Sequence, residues 1–422
     1  MFLPGAGDGP RAAKGVTEMA MRERTEKPAG VGAALRPTAP FGWVKRAVLG
    51  GNVYNRSELA GAFGDMGTFI AFVVAFITVN GMDPAGILIA FGIFELLVGM
   101  TYKTPVPVQP MKAIGAAAIA NPAAISHGMI WGAGLFTAVF WTLMGLTGAV
   151  EWLQKITAKP VIRGIMLGLG MSFGLEGLRM MASDPLLGLA GVILVLFLLD
   201  SRRLPAMFAL LVFGIATALV REPALLGELG RISVQFRLPS SPLGTIQWND
   251  LLLGALILGL PQAPLTLGNA VLGTVAENNQ IFPDRPLKVR TLAYSHGLMN
   301  FVSTAIGGIP LCHGAGGMAG HVRFGARTGG ALVMLGAVVL ALGLFFADSV
   351  TVLFRTIPGA ILGVILLFTG LELAAIIKDI GSKKEDVYVM LLTAAAAMFN
   401  MGVGFVAGVA LYHAVRRGIV KL

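Results

Sequence analysis

The sequence predicts an all-α polytopic membrane protein of fourteen transmembrane segments, arranged as two inverted repeats of seven. Three observations carry that prediction. The 422-residue chain is 55% hydrophobic and only 13% charged, with a mean hydropathy of +0.78, too apolar for a water-soluble globular protein. From Glu58 onward apolar runs follow one another with short gaps. Two of those runs, in corresponding places of the two halves, open on prolines: Pro105, Pro107 and Pro110 before Met111-Lys112, and Pro310 before Leu311-Cys312-His313-Gly314. Paired interrupted segments of this kind point to the binding site of a secondary transporter.

The formal charge of +10 does not describe a nucleic-acid surface, because Lys and Arg cluster in short turns between apolar runs, the positive-inside pattern. The single cysteine, Cys312, excludes an intrachain disulfide and a Cys-rich zinc site. With 57 glycines, close helix packing is expected. Residues 1–46 are polar, rich in Pro, Gly and Arg, and read as a disordered cytoplasmic tail. They show no basic region followed directly by an apolar one, so a cleaved secretory signal is not expected.

Taken in order, the segments of the first half fall at 62–80, 84–101, 108–121, 129–150, 161–181, 185–199 and 205–220. Those of the second fall at 251–273, 290–306, 311–322, 330–347, 353–376, 386–400 and 402–416. The repeats are thus bounded at 57–220 and 251–417, with a polar linker at 221–250. Placing the amino terminus in the cytoplasm puts seventeen Lys and Arg inside, among them Lys103, Lys155, Arg202, Arg203, Arg285, Arg323 and Lys378, against five outside: Arg179, Arg221, Arg231, Arg237 and Arg355. Seven segments per half bring the second half in from the opposite side. Gly164, Gly168 and Gly174-Leu175-Glu176 of the fifth segment then match Gly359, Gly363 and Gly370-Leu371-Glu372 of the twelfth with a one-residue slip.

Four motifs carry a family resemblance: Gly64-Asp65-Met66-Gly67-Thr68-Phe69, Pro107-Val108-Gln109-Pro110-Met111-Lys112, the run Leu260 to Ala270, and Cys312-His313-Gly314-Ala315-Gly316-Gly317. In this order they resemble the molybdate transporter type 1 family, a branch of the sulfate permease superfamily, over nearly everything after residue 57. The resemblance implies the seven-plus-seven inverted fold shared with uracil permease. Helices 1–4 and 8–11 would form a core that holds the substrate, and helices 5–7 and 12–14 a gate against which it moves. It also implies import of molybdate or a close tetrahedral oxyanion, with proton symport as the expected coupling, by a multi-pass protein of the inner or plasma membrane with both termini cytoplasmic. The expected partners are the oxyanion, protons, the lipid bilayer and a second copy of the chain. No cofactor or metal is expected. The chain ends at Leu422 directly after the last segment, so the carboxy-terminal STAS domain of many sulfate permeases is not expected.

A dianion taken into a bilayer must have its hydration replaced. Helix amino termini do this with free N–H groups and roughly half a positive charge each, so helices 3 and 10, expected as half-length helices after short extended segments, supply about one charge. Lys112 is the candidate for the deficit; the alternative is an ion pair with Asp65 that only joins helix 1 to helix 3. His313 either donates a hydrogen bond, carries the proton of a symport cycle, or is a buried histidine satisfied by a backbone carbonyl. The backbone around His313, Gly314, Ala315 and Gly316 is expected to bind the anion, with Gln109, Gln262 and Thr266 adding side-chain donors. Gln262, Thr266 and Asn269 share one helix face, as do Asp65 and Thr68, and Asn269 suits a helix–helix contact best. Cys312 reads as a packing residue. Glu176 and Glu372 either snorkel into headgroups or serve proton coupling. A sulfate or nucleobase carrier and an anion channel on the same fold are the competing readings. Helices 8 and 10 lack the carboxylates that nucleobase carriers typically place there. No nucleophile, base and orienting group come together as an enzyme requires.

Overall fold

The computed structural model describes residues 47–199, 201, 206–230, 232–375, 377 and 380–421. The expected tail, 1–46, and Arg202, Arg203, Arg231 and Lys378 of the orientation count lie outside the described residues. A short antiparallel hairpin, β1 (Ala47–Leu49) with β2 (Asn52–Tyr54), precedes the first helix. Asn55 caps α1 (Arg56–Ala62) by accepting from the Glu58 N–H. A 3₁₀ turn, Phe63–Asp65, then joins α1 to α2 (Met66–Thr78).

The starts of α3, α5 and α8 are written in the sequence by capping chemistry. Asp83 accepts from Ala85 N–H and Pro84 opens α3 (Pro84–Tyr102), which ends on Lys103 in the left-handed region at φ 57°. After a two-residue strand β3 (Gln109–Pro110) comes α4 (Lys112–Ala120), a helix of only nine residues. Ser126 caps α5 (His127–Thr147), closed by Gly148 at φ 73°. A short α6 (Ala149–Ile156) leads to α7 (Lys159–Met181), α8 (Pro185–Leu198, capped by Asp184), α9 (Ala206–Arg221) and α10 (Ala224–Leu229). The linker therefore carries a helix of its own. Beyond that helix it is strapped down, with Gln235 and Arg237 donating their N–H groups to Phe345 and Leu344 at 2.9 Å.

The second half opens with α11, a continuous run of 34 residues from Trp248 to Ile281. This is longer than the expected 251–273. Pro261 and Pro264 would break an ordinary α-helix by removing N–H donors and crowding the preceding turn. Here the turns on either side, Gly254–Gly259 and Thr266–Gly273, widen to π-helix and absorb the prolines without a break. The chain continues through α12 (Val289–Ala305), strand β4 (Leu311–Cys312) and α13 (Ala315–Arg323), again of nine residues. It closes with α14 (Gly330–Phe345), α15 (Ala347–Arg355), α16 (Gly359–Ala375), α17 (Lys384–Phe399) and α18 (Met401–Arg416).

Each of the fourteen apolar segments coincides with a helix, but helix length alone identifies fewer crossings. Five described helices are long and apolar enough to span a membrane, or six when the pair α14 and α15, bent by 97°, counts as one. The protein is thus a multi-pass membrane protein of predominantly helical structure.

Packing follows the glycines. On α7 and α16, a Cβ added to Gly170 would lie 2.5 Å from the Gly370 carbonyl oxygen, and one added to Gly177 would lie 2.6 Å from that of Gly363. Backbones this close give the dense contact that lipid-embedded helices rely on in place of the hydrophobic effect. The main apolar cluster is built by α2 to α5 with α11 to α14, Phe72, Phe76, Phe91 and Trp141 among its fully buried side chains. A second gathers Leu187, Val195, Leu210 and Ile361 from α8, α9 and α16 against Ala71 and Val74 of α2.

Candidate functional site

The two nine-residue helices start from one place. β3 and β4 pair antiparallel with Gln109 opposite Cys312 and Pro110 opposite Leu311, and Met111 N–H donates to the Pro310 carbonyl at 2.9 Å. Prolines suit this pairing because it is only two residues long and needs few donors. The outer edge of β4 is completed by α12: Asn300 donates to the Leu311 carbonyl at 2.8 Å and accepts from the Leu311 N–H at 2.9 Å. Ser303 Oγ donates to the Ile309 carbonyl at 2.6 Å. The amino ends of α4 and α13 are thereby held beside each other.

The two ends are not equivalent. On α4, Gln262 of α11 turns its Oε1 to the N–H groups of Ala113 and Ile114 at 2.7 and 3.3 Å, and its Nε2 donates to Thr266 Oγ1 at 2.9 Å. Both polar side chains are buried, and Gln262 caps the helix. On α13 no side chain caps the start. The N–H groups of Ala315, Gly316 and Gly317 meet no acceptor among the described residues, while Met318 N–H takes the Gly314 carbonyl. The free donors at these two helix starts are therefore concentrated on α13.

The glycines of this turn divide by what they face. A Cβ on Gly314 would lie 2.1 Å from Gln109 Oε1, and one on Gly317 would lie 2.3 Å from Gln109 Nε2 and 2.5 Å from Asp65 Oδ2. These two positions admit the protein's own Gln109 and Asp65, whose side chains are joined by a 2.6 Å hydrogen bond from Gln109 Nε2 to Asp65 Oδ2. Gly316 is exposed and a Cβ there would meet nothing within 4 Å. Open space therefore lies over the free amides at Gly316.

Lys112 is 4% exposed, and its ammonium forms neither a hydrogen bond nor an ion pair among the described residues. Asp65, held by Gln109, is within electrostatic range of Lys112 without an ion pair forming. Glu372 of α16 is exposed and lies within electrostatic range of Asp65, Lys112 and Arg323. Glu176 is paired instead with Arg179 at 3.3 Å. Thr68 is buried one turn beyond Asp65.

His313 is fully buried, and both ring nitrogens are occupied. Its Nδ1 lies 2.8 Å from the Pro107 carbonyl and its Nε2 lies 2.9 Å from Ser295 Oγ. A carbonyl can only accept, so Nδ1 carries the proton and Nε2 accepts from Ser295 in the neutral ring. The His313 N–H in turn donates to His296 Nε2 at 3.3 Å, and His296 Nδ1 donates to Leu292 at 2.6 Å. This clamp ties α12 to the extended segment before β3. Cys312 is buried with Sγ 3.5 Å from the Pro110 carbonyl, and Asn269 packs beside Gly314.

Sequence reasoning did not single out Ser295, His296 and Asn300, nor Glu95. Glu95 sits inside α3, 3% exposed, with Oε1 accepting from Val108 N–H at 3.3 Å. The signal was available in each case as a polar residue within an apolar segment, which is costly unless it has a partner.

The fold is that of known membrane transporters. The chain superposes on the transmembrane domain of a cyanobacterial bicarbonate transporter, BicA, with a TM-score of 0.59 and 17% identity, covering 84% of this chain and 97% of that one. It also superposes on murine SLC26A9, an anion transporter in the inward-facing state, with a TM-score of 0.63 and 13% identity over 87% of this chain and 69% of that one. Within that class the chain belongs to the molybdate transporter family, described as "Molybdate transporter of MFS superfamily", which matches residues 57–173 and 254–373. Molybdate transporter 2 of Arabidopsis thaliana is 34% identical, with 88% of this chain and 89% of the relative covered. Molybdate transporter 1 of the same plant is 30% identical over 86% of this chain and 89% of the relative. Molybdate transporter 1 of Chlamydomonas reinhardtii is 27% identical over 83% and 90%. These are transporters, not enzymes.

Proposed function

We propose that the protein is a secondary active transporter that imports molybdate or a close tetrahedral oxyanion across the cell membrane by proton symport. The observation that carries the reading is the first turn of α13, where three N–H groups lack acceptors beneath open space at Gly316, with the unpaired Lys112 on the neighbouring helix start. Amide donors, a helix dipole and one cation form a site for an oxyanion. Gln109, Asp65 and Thr68 form the wall behind it; Gln262 and Thr266 support it by fixing α4, and His313 by fixing the extended segment. The curated relatives carry molybdate transport in their names, and the reading takes its substrate from them.

Alternating access would move a gate of α7–α9 and α16–α18 against a core of α1–α5 and α11–α14. The fourteen-crossing, inverted-repeat reading is supported by the packing partners. The second segment packs on the eleventh and the fourth on the ninth, as α3 with α14 and α5 with α12. Exchanging the halves turns one pair into the other, as a two-fold axis would require. The fifth and twelfth, α7 and α16, form a pair that the exchange leaves in place.

Uptake of labelled molybdate into proteoliposomes holding the purified protein tests this, with an inward proton gradient and tungstate or sulfate as competitors. Saturable, gradient-driven uptake is expected, and the two competitors rank the substrates. Absence of saturable flux for all three anions would overturn the reading.

A further inference from the structure

We propose that Glu95 is the proton-carrying group of the transport cycle, acting on the anion site through the extended segment that ends in Gln109. This rests on the proton-symport reading above and names the residue that reading lacks. Glu95 has one oxygen, Oε1, in a hydrogen bond from Val108 N–H at 3.3 Å, while its other oxygen, Oε2, is buried without a partner among the described residues. The next residue along the chain, Gln109, holds Asp65 at 2.6 Å against the first turn of α13. Two carboxyl groups are thus tied to consecutive residues, Val108 and Gln109, of the extended segment that leads into α4.

Among the described residues, no cation pairs with Glu95. Asp65, from the α1–α2 turn, is the charged group whose field reaches it. From α14 it meets Gly336, where an added Cβ would lie 2.9 Å from Glu95 Cβ. On α12, His296 is already committed as donor to Leu292 and acceptor from His313. On α15, Asp348 is paired with Arg237. An ionised carboxylate with an unpartnered buried oxygen and a second carboxylate as neighbour is costly, whereas the carboxylic acid is tolerated.

A proton on Oε2 removes one negative charge from beside the strand and lets the Val108–Gln109 segment settle with Asp65 against α13. Its loss places two carboxylates on either side of that segment and lowers anion affinity. By reciprocity, a bound anion raises the affinity of Glu95 for its proton. The balance is simple: one O–H bond forms with a proton from water on the side where the site opens, and the same bond breaks to water on the other side.

The test is molybdate binding to purified protein by calorimetry, in buffers of different ionisation enthalpy and across pH, alongside proteoliposome exchange. Wild type is expected to take up a proton on binding and to lose affinity by about tenfold per pH unit once Glu95 titrates. Glu95→Gln is expected to bind without proton uptake or pH dependence and to keep molybdate exchange within about threefold of wild type, while gradient-driven accumulation is lost. A Glu95→Gln protein that still takes up the proton overturns the proposal, and Glu372→Gln in the same assay shows whether that carboxylate carries it. A monodisperse Glu95→Gln protein that cannot bind molybdate also overturns it, since Glu95 would then belong to the anion site. Wild type that accumulates molybdate with no proton uptake overturns the symport reading and this proposal together. Should Glu95→Gln not fold, infrared spectra of wild type with labelled glutamate read the two buried glutamates, Glu58 and Glu95, together. A protonated buried glutamate that responds to molybdate is expected, and its absence overturns the assignment.

Discussion

Gly316 and Gly317 are neighbours in α13 with opposite tasks. Gly317 is small because Gln109 and Asp65 press on it, and Gly316 is small where nothing does. Gly317→Ala is expected to push Gln109 off Asp65 and destabilise the protein by about 1–3 kcal/mol, the usual cost of overpacking, read as a lower melting point in detergent. Gly316→Val adds its methyls to open space, so the fold is expected to stand while molybdate affinity falls about tenfold or more, about 1.4 kcal/mol, by calorimetry. Native affinity in that variant would place the anion elsewhere. Lys112→Ala removes the cation and keeps the amides, and is expected to raise the KM for molybdate strongly in protein that remains folded. Gln262→Leu strips the acceptor from two N–H groups of α4, one of them on the fully buried Ile114. A loss of about 1–3 kcal/mol is expected, visible in thermal unfolding.

At the scale of elements, α7 and α16 depend on backbone contact at Gly170 and Gly370. Gly370→Val would drive the helices apart, and loss of monodisperse protein on size-exclusion chromatography is the expected outcome. At the turn before α8, the Arg221 guanidinium hydrogen-bonded to Asp184, with help from the Leu187 N–H, holds the Asp184 carboxyl below the usual aspartate range. A lowered value favours the folded state above the unfolded aspartate value, and the contribution disappears as pH falls through the folded one. Acid is therefore expected to loosen the α8–α9 end, and Asp184→Asn to flatten that part of the pH–stability curve.

For the whole molecule, the strand crossing ties the amino ends of α4 and α13 into one unit, so a site built there moves as a body. The proposed carrier mechanism entails counterflow: unlabelled molybdate trapped inside proteoliposomes is expected to accelerate entry of label, whereas a channel would show no such stimulation.

The amino-acid sequence by itself determined a great deal: apolar runs with capping residues such as Asp83, Ser126 and Asn400, whose side chain accepts from Val403 N–H at the start of α18, set where helices begin, and the prolines at 105–110 and 310 marked where the chain stops being helical. These are local properties, set by periodicity, missing N–H donors and side chains that reach their own backbone. The short helices α6 and α15 and the full length of α11 were not legible, because amphipathic turns between apolar runs and π-widened prolines leave no separate hydropathy signal. The division of labour within the site was decided only by tertiary structure. Nothing local tells that Gln262 caps α4 from about 150 residues away, that Gly314 and Gly317 make room for Gln109 and Asp65 while Gly316 does not, or that His313 is satisfied by Pro107 and Ser295. Those assignments depend on which groups the fold brings within hydrogen-bond distance, and a buried polar atom acquires its role from its partners, not from its neighbours in the chain.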